Sequence, residues 1–511
     1  MAEALAVETV VGVVGAGTMG AGIAEVAAAA GHPVRLHDNR PGAAADACAA
    51  LAARQARRVA RGKLNQADAD ALAARITPTD TLADLAPAGL VVEAIVEDLA
   101  VKRALFAELE ALLAPAAILA SNTSSLSITA LAAGLARPER VVGMHFFNPV
   151  PVMALVEVVH GLASDAEVTA TVLATARAWG KRAVRVASTP GFIVNRVARP
   201  YYAEALRLLQ EGVADAATLD AVYRDAGGFR MGPFELMDLI GHDVNFAVTR
   251  SVFEAFFHDP RYRPSLLQQE LVAAGRLGRK SGRGFYRYDA DAARPEPADL
   301  AAATAPAAVV VHGDLGPVEP LVALIAAAGM RVERVAAAGP GWIDAGRARL
   351  ALSDGRSATT RAVDEGDGLV LLDLALDYAT ASRLAIAAAE QADAGAVADA
   401  AGLLQALGKR VVRLADTPGL AVLRTAALLA NEGAEAVLQQ VCSAAAVDEA
   451  MRYGVNYPRG PLAWADAIGP AHVLALIDRL AAAYGEDRYR ASTWLRQRVA
   501  AGRPLRDDPP N

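Results

Sequence analysis

Residues 9–20 read Thr-Val-Val-Gly-Val-Val-Gly-Ala-Gly-Thr-Met-Gly, an apolar run that passes directly into a glycine-rich turn. The run predicts a strand of a parallel sheet covered on both faces, and the Ala-rich stretch up to Gly31 predicts a helix. Gly15 would permit the tight turn, Gly17 the close approach of a pyrophosphate, and Gly20 close packing of helix on strand. The stretch therefore predicts a dinucleotide-binding domain, with a purely structural glycine turn as the alternative.

The next predicted strand, Val34–His37, ends at Asp38. A carboxylate at this point can bind the ribose hydroxyls of adenosine, and it would repel a 2′-phosphate. NAD is therefore the expected cofactor. Arg40 lies two residues further on and keeps NADP open as the alternative.

The sequence beyond this point alternates apolar and helical stretches. Further strands are predicted at 90–94, 118–120, 141–145 and 183–186, which indicates an α/β fold with a Rossmann-like doubly wound parallel sheet. After Pro190 the pattern becomes all-helical. Within it, 192–212 predicts one long helix that Pro200 kinks.

An internal repeat organises the rest of the chain. Residues 180–191 recur at 408–419, 228 positions later, and Gly232-Pro233 recurs at the same spacing as Gly460-Pro461. The helical domain is thus predicted to be duplicated. The stretch between the copies predicts a linker and a degenerate Rossmann-like α/β unit that has no GxGxxG and is expected to bind no dinucleotide. The predicted domains are 1–188 (Rossmann), 189–288 (helical), 289–306 (linker), 307–416 (degenerate α/β) and 417–511 (second helical copy).

Composition excludes several classes of protein. The 511 residues carry 50 Lys and Arg against 57 Asp and Glu, so the net charge of −7 argues against a nucleic-acid partner. The two cysteines, Cys48 and Cys442, argue against a disulfide framework or a Cys-rich metal site and favour the cytoplasm. The N-terminus lacks the features of a signal peptide, and Pro115 interrupts the longest uncharged run, 111–136, so neither export nor a membrane span is expected.

Two side chains suggest acid–base chemistry. His145 ends a predicted parallel strand, where such sheets bind ligands, and neutral imidazole can accept the proton of an alcohol during dehydrogenation. Glu157 lies in an apolar, strand-like run and is a candidate partner for His145. The alternatives are a core histidine with satisfied hydrogen bonds and an edge-strand glutamate that faces solvent.

Longer motifs carry a family resemblance. Residues 120–126 (Ala-Ser-Asn-Thr-Ser-Ser-Leu), 145–153 (His-Phe-Phe-Asn-Pro-Val-Pro-Val-Met) and 190–196 (Pro-Gly-Phe-Ile-Val-Asn-Arg) resemble the 3-hydroxyacyl-CoA dehydrogenase family. So do Val92–Glu97 and 278–286. The resemblance covers about residues 8–290, and the region of about 394–509 resembles a second copy of the family's C-terminal domain, as in its long bacterial form.

The resemblance implies roles for individual residues. His145 would be the general base, and Glu157 would orient it and stabilise its positive charge. Ser124 and Asn195 would hydrogen-bond the substrate oxygen at C3. From residue type alone, Ser124 could equally be a turn or N-cap residue and Asn195 a helix-surface amide. The implied NAD contacts besides the glycine motif and Asp38 are Glu97, Lys102, Asn122, Asn148 and Lys280.

Some of these assignments compete with simpler interpretations. Glu97 and Lys102 could be solvated charges, and Lys280 could belong to a basic turn. Arg54 and Arg61 stand where the animal members of the family offer a serine and a lysine to CoA. These arginines could meet CoA phosphates or simply form a solvated helix face.

The function that the resemblance implies is NAD-dependent oxidation of a (3S)-3-hydroxyacyl-CoA in fatty-acid or phenylacetate catabolism. One alternative is a dehydrogenase of the phosphogluconate or sugar-nucleotide type, and the sugar-nucleotide chemistry needs a thiol that neither cysteine supplies in a likely crevice. Another is a non-catalytic, crystallin-like relative, which would have lost the paired histidine and glutamate. In shorter members the helical domain forms the dimer, so the second copy is expected to provide an intrachain pseudo-dimer and one active site per chain; a homo-oligomer is the alternative.

Overall fold

A computed structural model of the chain describes residues 3–508. The first two positions of the predicted Rossmann domain and the last three of the predicted second helical copy lie outside the described residues. Contacts divide the chain into two compact units. The first unit comprises the chain up to Arg196 together with Gln439–Val455, and the second comprises Val197–Leu438 together with the chain from Asn456 onward. The units thus cut across the repeats seen in the sequence.

The first unit contains an eight-stranded sheet in the order β3-β2-β1-β4-β5-β6-β7-β8. All neighbouring strands are parallel except β6 and β7. The predicted α/β fold with a Rossmann-like sheet is confirmed. The strands are β1 (Val10–Val14), β2 (Val34–His37), β3 (Ile76–Thr79), β4 (Ala88–Glu93), β5 (Ile118–Ser121), β6 (Val141–Phe146), β7 (Leu155–His160) and β8 (Arg182–Ala187).

The second unit contains a seven-stranded mixed sheet in the order β10-β9-β11-β12-β13-β14-β15. Its last three strands repeat the arrangement of β6, β7 and β8: β13 and β14 are antiparallel, whereas β14 and β15 are parallel. The strands are β9 (Ala308–Asp314), β10 (Arg331–Pro340), β11 (Trp342–Ala345), β12 (Ala348–Leu352), β13 (Leu369–Leu372), β14 (Arg383–Ala388) and β15 (Arg410–Arg413).

Helices cover both sheets and form the two helical repeats, and their bounds show the duplication directly. The helices α10 and α18 begin and end 228 positions apart, as do α6 and α15. The helices are α1 (Thr18–Ala29), α2 (Ala43–Ala60), α3 (Gln66–Ala74), α4 (Leu99–Leu112), α5 (Ile128–Ala132), α6 (Ala166–Ala178), α7 (Val194–Val197), α8 (Arg199–Gln210), α9 (Ala216–Asp225), α10 (Pro233–Ile240), α11 (His242–Ala255), α12 (Leu266–Ala273), α13 (Pro320–Ala327), α14 (Ala358–Glu365), α15 (Ala394–Ala406), α16 (Val422–Leu438), α17 (Ala444–Gly454), α18 (Pro461–Ile468), α19 (Pro470–Tyr484) and α20 (Thr493–Ala500).

The repeats exchange one helix each. In the first unit, α17 of the second helical repeat packs on β7 and β8, and the Ala187 amide donates to the Val441 carbonyl over 2.8 Å. In the second unit, α9 of the first helical repeat packs on β14, and the Ala415 amide donates to the Val213 carbonyl over 2.9 Å. The two hydrogen bonds are equivalent, because Ala187 and Val213 of the first repeat correspond to Ala415 and Val441 of the second, 228 positions later. Each sheet is therefore covered by a helix from the other repeat.

The structure refines two predicted segments, the long helix over 192–212 and the linker 289–306. The long helix predicted over 192–212 is divided into α7 and α8 by a turn at Ala198, because Pro200 has no amide hydrogen for the helix ladder. The predicted linker 289–306 has no helix or named strand, but it is not free of the fold. Its Leu300 amide donates to the Val411 carbonyl over 2.7 Å, so the segment lies along the edge strand β15.

Candidate active site

The glycine turn between β1 and α1 has the geometry that a pyrophosphate needs. A Cβ at Gly15 or Gly20 would collide with backbone, since it would lie 2.5 Å from the Ala94 oxygen or 1.7 Å from the Gly15 oxygen. A Cβ at Gly17 would meet nothing within 4 Å, so the space in front of the first turn of α1 is open. No side chain caps this helix, and its first amides are available to an anion. The residues therefore fit a dinucleotide.

Asp38 ties the end of β2 to this turn. Its Oδ2 accepts from the Ala16 amide over 2.8 Å, and its Oδ1 accepts from the amide and the Nε of Arg40, each over 3.0 Å. Burial opposes ionisation of Asp38, but the hydrogen bonds and charge of Arg40 and the Ala16 amide outweigh it and lower the pKa of Asp38 to about 2. Arg40 is thus ion-paired with the carboxylate that would select NAD.

His145 and Glu157 form a buried pair across β6 and β7. They stand opposite each other in the antiparallel register, and His145 Nδ1 lies 2.7 Å from Glu157 Oε2. The other carboxylate oxygen accepts from the amides of Ile193 and Val194 over 2.9 and 3.0 Å. Because Nδ1 faces a carboxylate, it carries the proton in the neutral ring, which leaves Nε2 free to accept one. Glu157 also holds the amides at the start of α7, which carries Asn195.

A second carboxylate, Glu97, organises the loop that carries Ser124. Glu97 Oε1 accepts from the Thr123 hydroxyl over 2.6 Å, from the Ser124 amide over 3.0 Å and from the Ser125 hydroxyl over 3.0 Å. Burial opposes ionisation of Glu97, but these bonds and the Lys102 charge lower its pKa from the ordinary value. The loop is therefore held from below by an ionised side chain.

Lys102 lies under the same loop. Its side chain is 1% exposed, and its Nζ contacts Glu93 over 2.6 Å and Glu97 over 3.2 Å. Glu93 is fully buried and also accepts from the Ser121 hydroxyl over 2.6 Å. Lys102 thus stabilises the loop from within the protein rather than lying on its surface as a solvated charge.

Asn122 connects this loop to the strand of the histidine. Its Oδ1 accepts from the Phe146 amide over 2.9 Å. Hydrogen bonds thus tie the strand of His145 to the loop of Ser124 on one side and, through Glu157, to the helix of Asn195 on the other. Asn148, a predicted NAD contact just beyond β6, is exposed.

The remaining predicted contacts lie outside this network. Lys280 belongs to the second unit, where its Nζ pairs with Asp243 over 2.6 Å. Arg54, on α2, forms an ion pair with Glu25 of α1, which gives it a structural task besides any contact with CoA. Arg61 is exposed just after α2.

The second repeat has an aspartate where the first has His145. The Asp373 amide donates to the Ala385 carbonyl over 2.9 Å, so these residues face each other as His145 and Glu157 do, 228 positions earlier. The Asp373 carboxylate accepts from the amides of residues 421–423 over 2.8–3.0 Å. Burial raises the pKa of Asp373 to about 6, although these bonds partly oppose the rise. Asp373 therefore accepts hydrogen bonds from the amides at the start of the following helix, as Glu157 does in the first repeat. It does not form a pair like that of His145 with Glu157.

The strained backbone conformation of Phe192 is a property of the Pro-Gly turn and does not depend on the His145–Glu157 pair. Phe192 has a φ of 50°, in the left-handed region that side chains rarely adopt. Leu420, its counterpart 228 positions later, has a φ of 55°. Since the strain persists beside Asp373, where the pair is missing, the Pro-Gly turn itself requires it.

The exchanged helix α17 reaches the surroundings of the histidine. A Cβ at Gly454 would lie 2.6 Å from Leu155 Cδ2, 2.9 Å from Val194 Cγ2 and 3.7 Å from the Phe147 ring. The Phe147 ring lies 4.5 Å from that of His145. A residue of the second repeat thus helps to form the packing around the His145–Glu157 pair.

Sequence reasoning missed Glu93, Ser121 and α17. Glu93 offered a usable signal, because it is a charge that ends an apolar strand and must be paired once buried. Nothing in the sequence pattern distinguishes α17 from its counterpart α9 as a helix that would cover the first sheet.

Within residues 3–508, no three His, Cys, Asp or Glu side chains are grouped so that they could hold a metal ion. In the same range, no helix combines the length and apolar character that crossing a bilayer requires.

Comparison with known proteins gives a consistent result. The model of the 3-hydroxyacyl-CoA dehydrogenase NAD binding domain matches residues 10–189, and that of the C-terminal domain of the same family matches 191–288 and again 419–508. The model of the 3-hydroxybutyryl-CoA dehydrogenase reduced Rossmann-fold domain matches 350–418. The predicted duplication of the helical domain is thereby confirmed.

Individual relatives extend this match over the whole chain. The 3-hydroxyadipyl-CoA dehydrogenase of Escherichia coli (strain K12) is 46% identical over 489 residues, which cover 96% of this chain and 97% of that protein. The mitochondrial hydroxyacyl-coenzyme A dehydrogenase of Homo sapiens is 41% identical over 54% of this chain and 90% of its own length. The crystal structure of 3-hydroxybutyryl-CoA dehydrogenase from Escherichia coli K12 matches with a TM-score of 0.88 and 44% identity, covering 97% of this chain and 99% of that one. The chain belongs to the 3-hydroxyacyl-CoA dehydrogenase family.

Proposed function

We propose that this protein oxidises the 3-hydroxyl group of a (3S)-3-hydroxyacyl-CoA to the 3-oxo group, with NAD as the cofactor. The observation that carries the proposal is the buried His145–Glu157 pair, which hydrogen bonds connect to the loop of Ser124 and to the helix of Asn195. NAD, when bound, supplies the acceptor for the hydride from C3. The open space at Gly17 and the carboxylate of Asp38 support its binding to this chain.

The proton of the alcohol leaves through His145. The Nε2 atom accepts the hydroxyl proton, and the imidazolium that results is stabilised by Glu157, whose carboxylate is already hydrogen-bonded to Nδ1. The two backbone amides on the other carboxylate oxygen fix the orientation of Glu157 and hence that of the ring. No reorganisation of the pair is required during the reaction, which lowers the barrier to proton transfer.

Ser124 and Asn195 hold the substrate oxygen. Their hydroxyl and amide groups donate to the oxygen at C3 and place the hydroxyl within reach of His145. In the reverse direction they polarise the ketone. Glu97 and Lys102 support this step indirectly, since they stabilise the loop that carries Ser124.

The proposed substrate is an acyl-CoA with a short chain. The relatives named for 3-hydroxyadipyl-CoA and 3-hydroxybutyryl-CoA support this class, and the former supports a thioester with a terminal carboxylate. Such substrates arise in fatty-acid and phenylacetate catabolism. We propose the cytoplasm as the location, in keeping with two cysteines that form no disulfide.

We also propose that the second repeat is structural and forms an intrachain pseudo-dimer with the first. Within the second unit, α8 packs on α16, and the fully buried Arg424 pairs with Glu204 over 2.7 Å. Tyr223 and Thr425, from the two repeats, share a buried hydrogen bond of 2.7 Å. Contacts of this kind would replace those that a second subunit provides in shorter members.

The test is an assay of NADH release with 3-hydroxybutyryl-CoA and 3-hydroxyadipyl-CoA. His145→Gln should lower kcat at least about a hundredfold on the better substrate, the low end for the loss of a general base. The matched control is His258→Gln, since His258 is exposed and belongs to the second unit. Near-normal turnover by His145→Gln, or no turnover of any 3-hydroxyacyl-CoA by the unmutated protein, contradicts the proposal.

A further inference from the structure

The second unit contains a cavity of about 330 Å³ along one face of α8. Its lining is strongly basic, with five arginines and only two carboxylates, those of Glu211 and Glu486. None of its lining residues belongs to the proposed catalytic or NAD-binding set. The arginines are Arg199, Arg207, Arg261, Arg263 and Arg488.

Arg199 is the unusual member of this group. It is 5% exposed, and no carboxylate of residues 3–508 forms an ion pair with it. Its Nη1 donates to the Thr249 hydroxyl over 2.9 Å, its guanidinium lies 4.9 Å from the centre of the Tyr202 ring, and its Nε has no hydrogen-bond partner in the described part of the chain. Burial lowers the pKa of Arg199, yet an arginine stays protonated in proteins. A buried positive charge without a counter-ion is costly, so the site calls for an anion.

The Ser265 hydroxyl of the lining also lacks a partner, because it is buried and forms no hydrogen bond within residues 3–508. The other buried arginine, Arg261, has counter-ions, since its Nη1 lies 3.5 Å from Glu432 and 3.7 Å from Glu435. Arg207 is likewise engaged, because its guanidinium binds Glu486 over 2.7 and 3.0 Å and Glu211 over 2.8 Å. Within the described residues, Arg199 is therefore the buried arginine of this lining that has no carboxylate partner.

Apolar and aromatic side chains also line the cavity beside its polar ones, which favours an organic anion over a bare inorganic one. Tyr202, Leu206 and Leu266 contribute to these walls. The second repeat has no equivalent of the key charge, since the position 228 residues after Arg199 is Ala427. The feature is thus specific to the first repeat, the one that carries the catalytic pair.

We propose that this cavity binds the carboxylate of a small organic acid, with Arg199 as the principal ligand. The planar guanidinium presents paired donors that match a carboxylate, and a charge-assisted hydrogen bond to Nε would satisfy the unpartnered atom. The carboxylate has two possible sources. It is either the far end of a dicarboxylyl thioester, which rests on the proposed function, or a free short-chain acid that acts as an effector. Arg199 follows Asn195 by four residues in the sequence, which is why the substrate itself is included in the test.

Calorimetric titration of the full-length protein with adipate tests the site directly, with adipamide as the uncharged probe and inorganic phosphate as the competing anion. We expect saturable binding of adipate, weak or absent binding of adipamide and phosphate, and at least about tenfold weaker adipate binding by Arg199→Met. Arg199→Lys, which keeps the charge but not the fork, should fall in between. Arg250→Met is the control, because Arg250 lies on α11, is exposed and pairs with Glu254 over 2.9 Å.

Melting temperatures measured without ligand show whether the Arg199→Met variant is folded, so that a loss of adipate binding can be assigned to the missing side chain. Arg199→Met removes an unpaired buried charge and keeps the bulk, so its melting temperature should equal or exceed that of the unmutated protein. Adipate should raise the melting temperature of the unmutated protein and not that of the variant. The absence of saturable adipate binding, or equal binding by Arg199→Met and the unmutated protein, overturns the proposal.

Kinetics distinguish the two sources of the carboxylate. If it belongs to the substrate, Arg199→Met should lower the ratio of kcat/KM for 3-hydroxyadipyl-CoA to kcat/KM for 3-hydroxybutyryl-CoA at least about tenfold. If adipate binds through Arg199 while this ratio stays the same, the site takes a free acid. Adipate binding by a protein that oxidises no 3-hydroxyacyl-CoA would support the site and refute the proposed function, so the two can fail separately.

Discussion

Glu157 performs two tasks with one carboxylate. One oxygen orients His145, and the other holds the amides of Ile193 and Val194 at the start of α7. The second repeat keeps only the second task, which Asp373 carries out from the position of the histidine. In the second repeat a carboxylate thus still binds the amides at the start of the helix, although no His–Glu pair is present. The amide contacts alone are therefore sufficient to hold this turn.

Glu157→Gln separates the two tasks. The amide oxygen of glutamine can still accept from the backbone amides, while its NH2 group faces Nδ1 and forces the proton of the ring onto Nε2. The general base is then blocked, and kcat should fall on the order of a hundredfold or more. The Kd for NAD, measured by fluorescence titration, should change little. A fall in NAD affinity that matches the fall in kcat would show that Glu157 acts on cofactor binding instead.

Asp38→Ala tests the choice of cofactor. Loss of the carboxylate removes the acceptor for the ribose hydroxyls and leaves Arg40 without its ion-pair partner. The ratio of kcat/KM with NAD to kcat/KM with NADP should therefore fall, whereas it should remain strongly in favour of NAD in the unmutated protein. Asp46→Ala, at an exposed position on α2, is the control. Equal efficiency of the unmutated protein with both cofactors would be incompatible with the role given to Asp38.

Asp373 makes the stability of the second unit depend on pH. Its pKa is raised from an ordinary value of 3.8 to about 6, so the folded state favours the protonated form. The stabilising contribution is complete below about pH 4 and is lost as the pH rises through about 6, on the order of 3 kcal/mol in total. The asparagine side chain of the Asp373→Asn variant does not titrate, so the variant does not lose stability in this way as the pH rises. Its urea-unfolding free energy, relative to that of the unmutated protein, should therefore increase between pH 4 and 7; a difference that is independent of pH would contradict this.

At the scale of elements, the exchanged helix α17 connects the second repeat to the surroundings of His145 and Glu157. Its contact is close only because Gly454 lacks a side chain. Leu155 and Val194 must move if a methyl group is added there, and the Val194 amide donates to Glu157.

Gly454→Ala should therefore reduce both stability and turnover. Overpacking typically costs about 1–3 kcal/mol, which a thermal melt detects, and displacement of Val194 should lower kcat more than it raises KM. Ala445→Leu on the exposed side of the same helix is the matched control. Unchanged kcat in Gly454→Ala would show that α17 covers the sheet without influencing the site.

The sequence predicted the individual helices and strands better than the contacts between them. The strand–turn–helix at Gly15 and the choice of Glu157 as a candidate partner of His145 follow from local pattern, because a buried strand, a glycine turn and a buried charge each leave a signature in a few residues. The exchange of α9 and α17 leaves none, since both helices present the same apolar face to either sheet. The repeat offset of 228 already places Asp373 at the position of His145, and the strand register agrees with this correspondence.

At the scale of the whole molecule, the residues proposed for catalysis occur in the first of the two repeats and have no counterparts in the second. The position of His145 is Asp373 in the second repeat, that of Glu157 is Ala385, and that of Asn195 is Leu423. The second sheet begins with β9, which ends in His-Gly-Asp and is followed by Leu-Gly, so no GxGxxG turn follows this strand. The second repeat therefore has neither a phosphate-binding turn nor a base.

Calorimetric titration with NAD should accordingly give a stoichiometry near one per 511-residue chain. A fragment of residues 300–511 should not turn over any 3-hydroxyacyl-CoA. A stoichiometry near two, or turnover by the fragment, would show that the second repeat is a functional enzyme in its own right.

The exchange of helices also sets an order of events at the ribosome. The first unit lacks one of its layers until Val455 has been synthesised, although its last preceding residue is Arg196. At about 5–20 residues per second, tens of seconds separate these two points. During that interval α6 already packs on β7 and β8, but the apolar surface that α17 will cover on these strands is open. A nascent chain of this family member therefore exposes an apolar surface for nearly as long as a half-length relative needs for its entire synthesis.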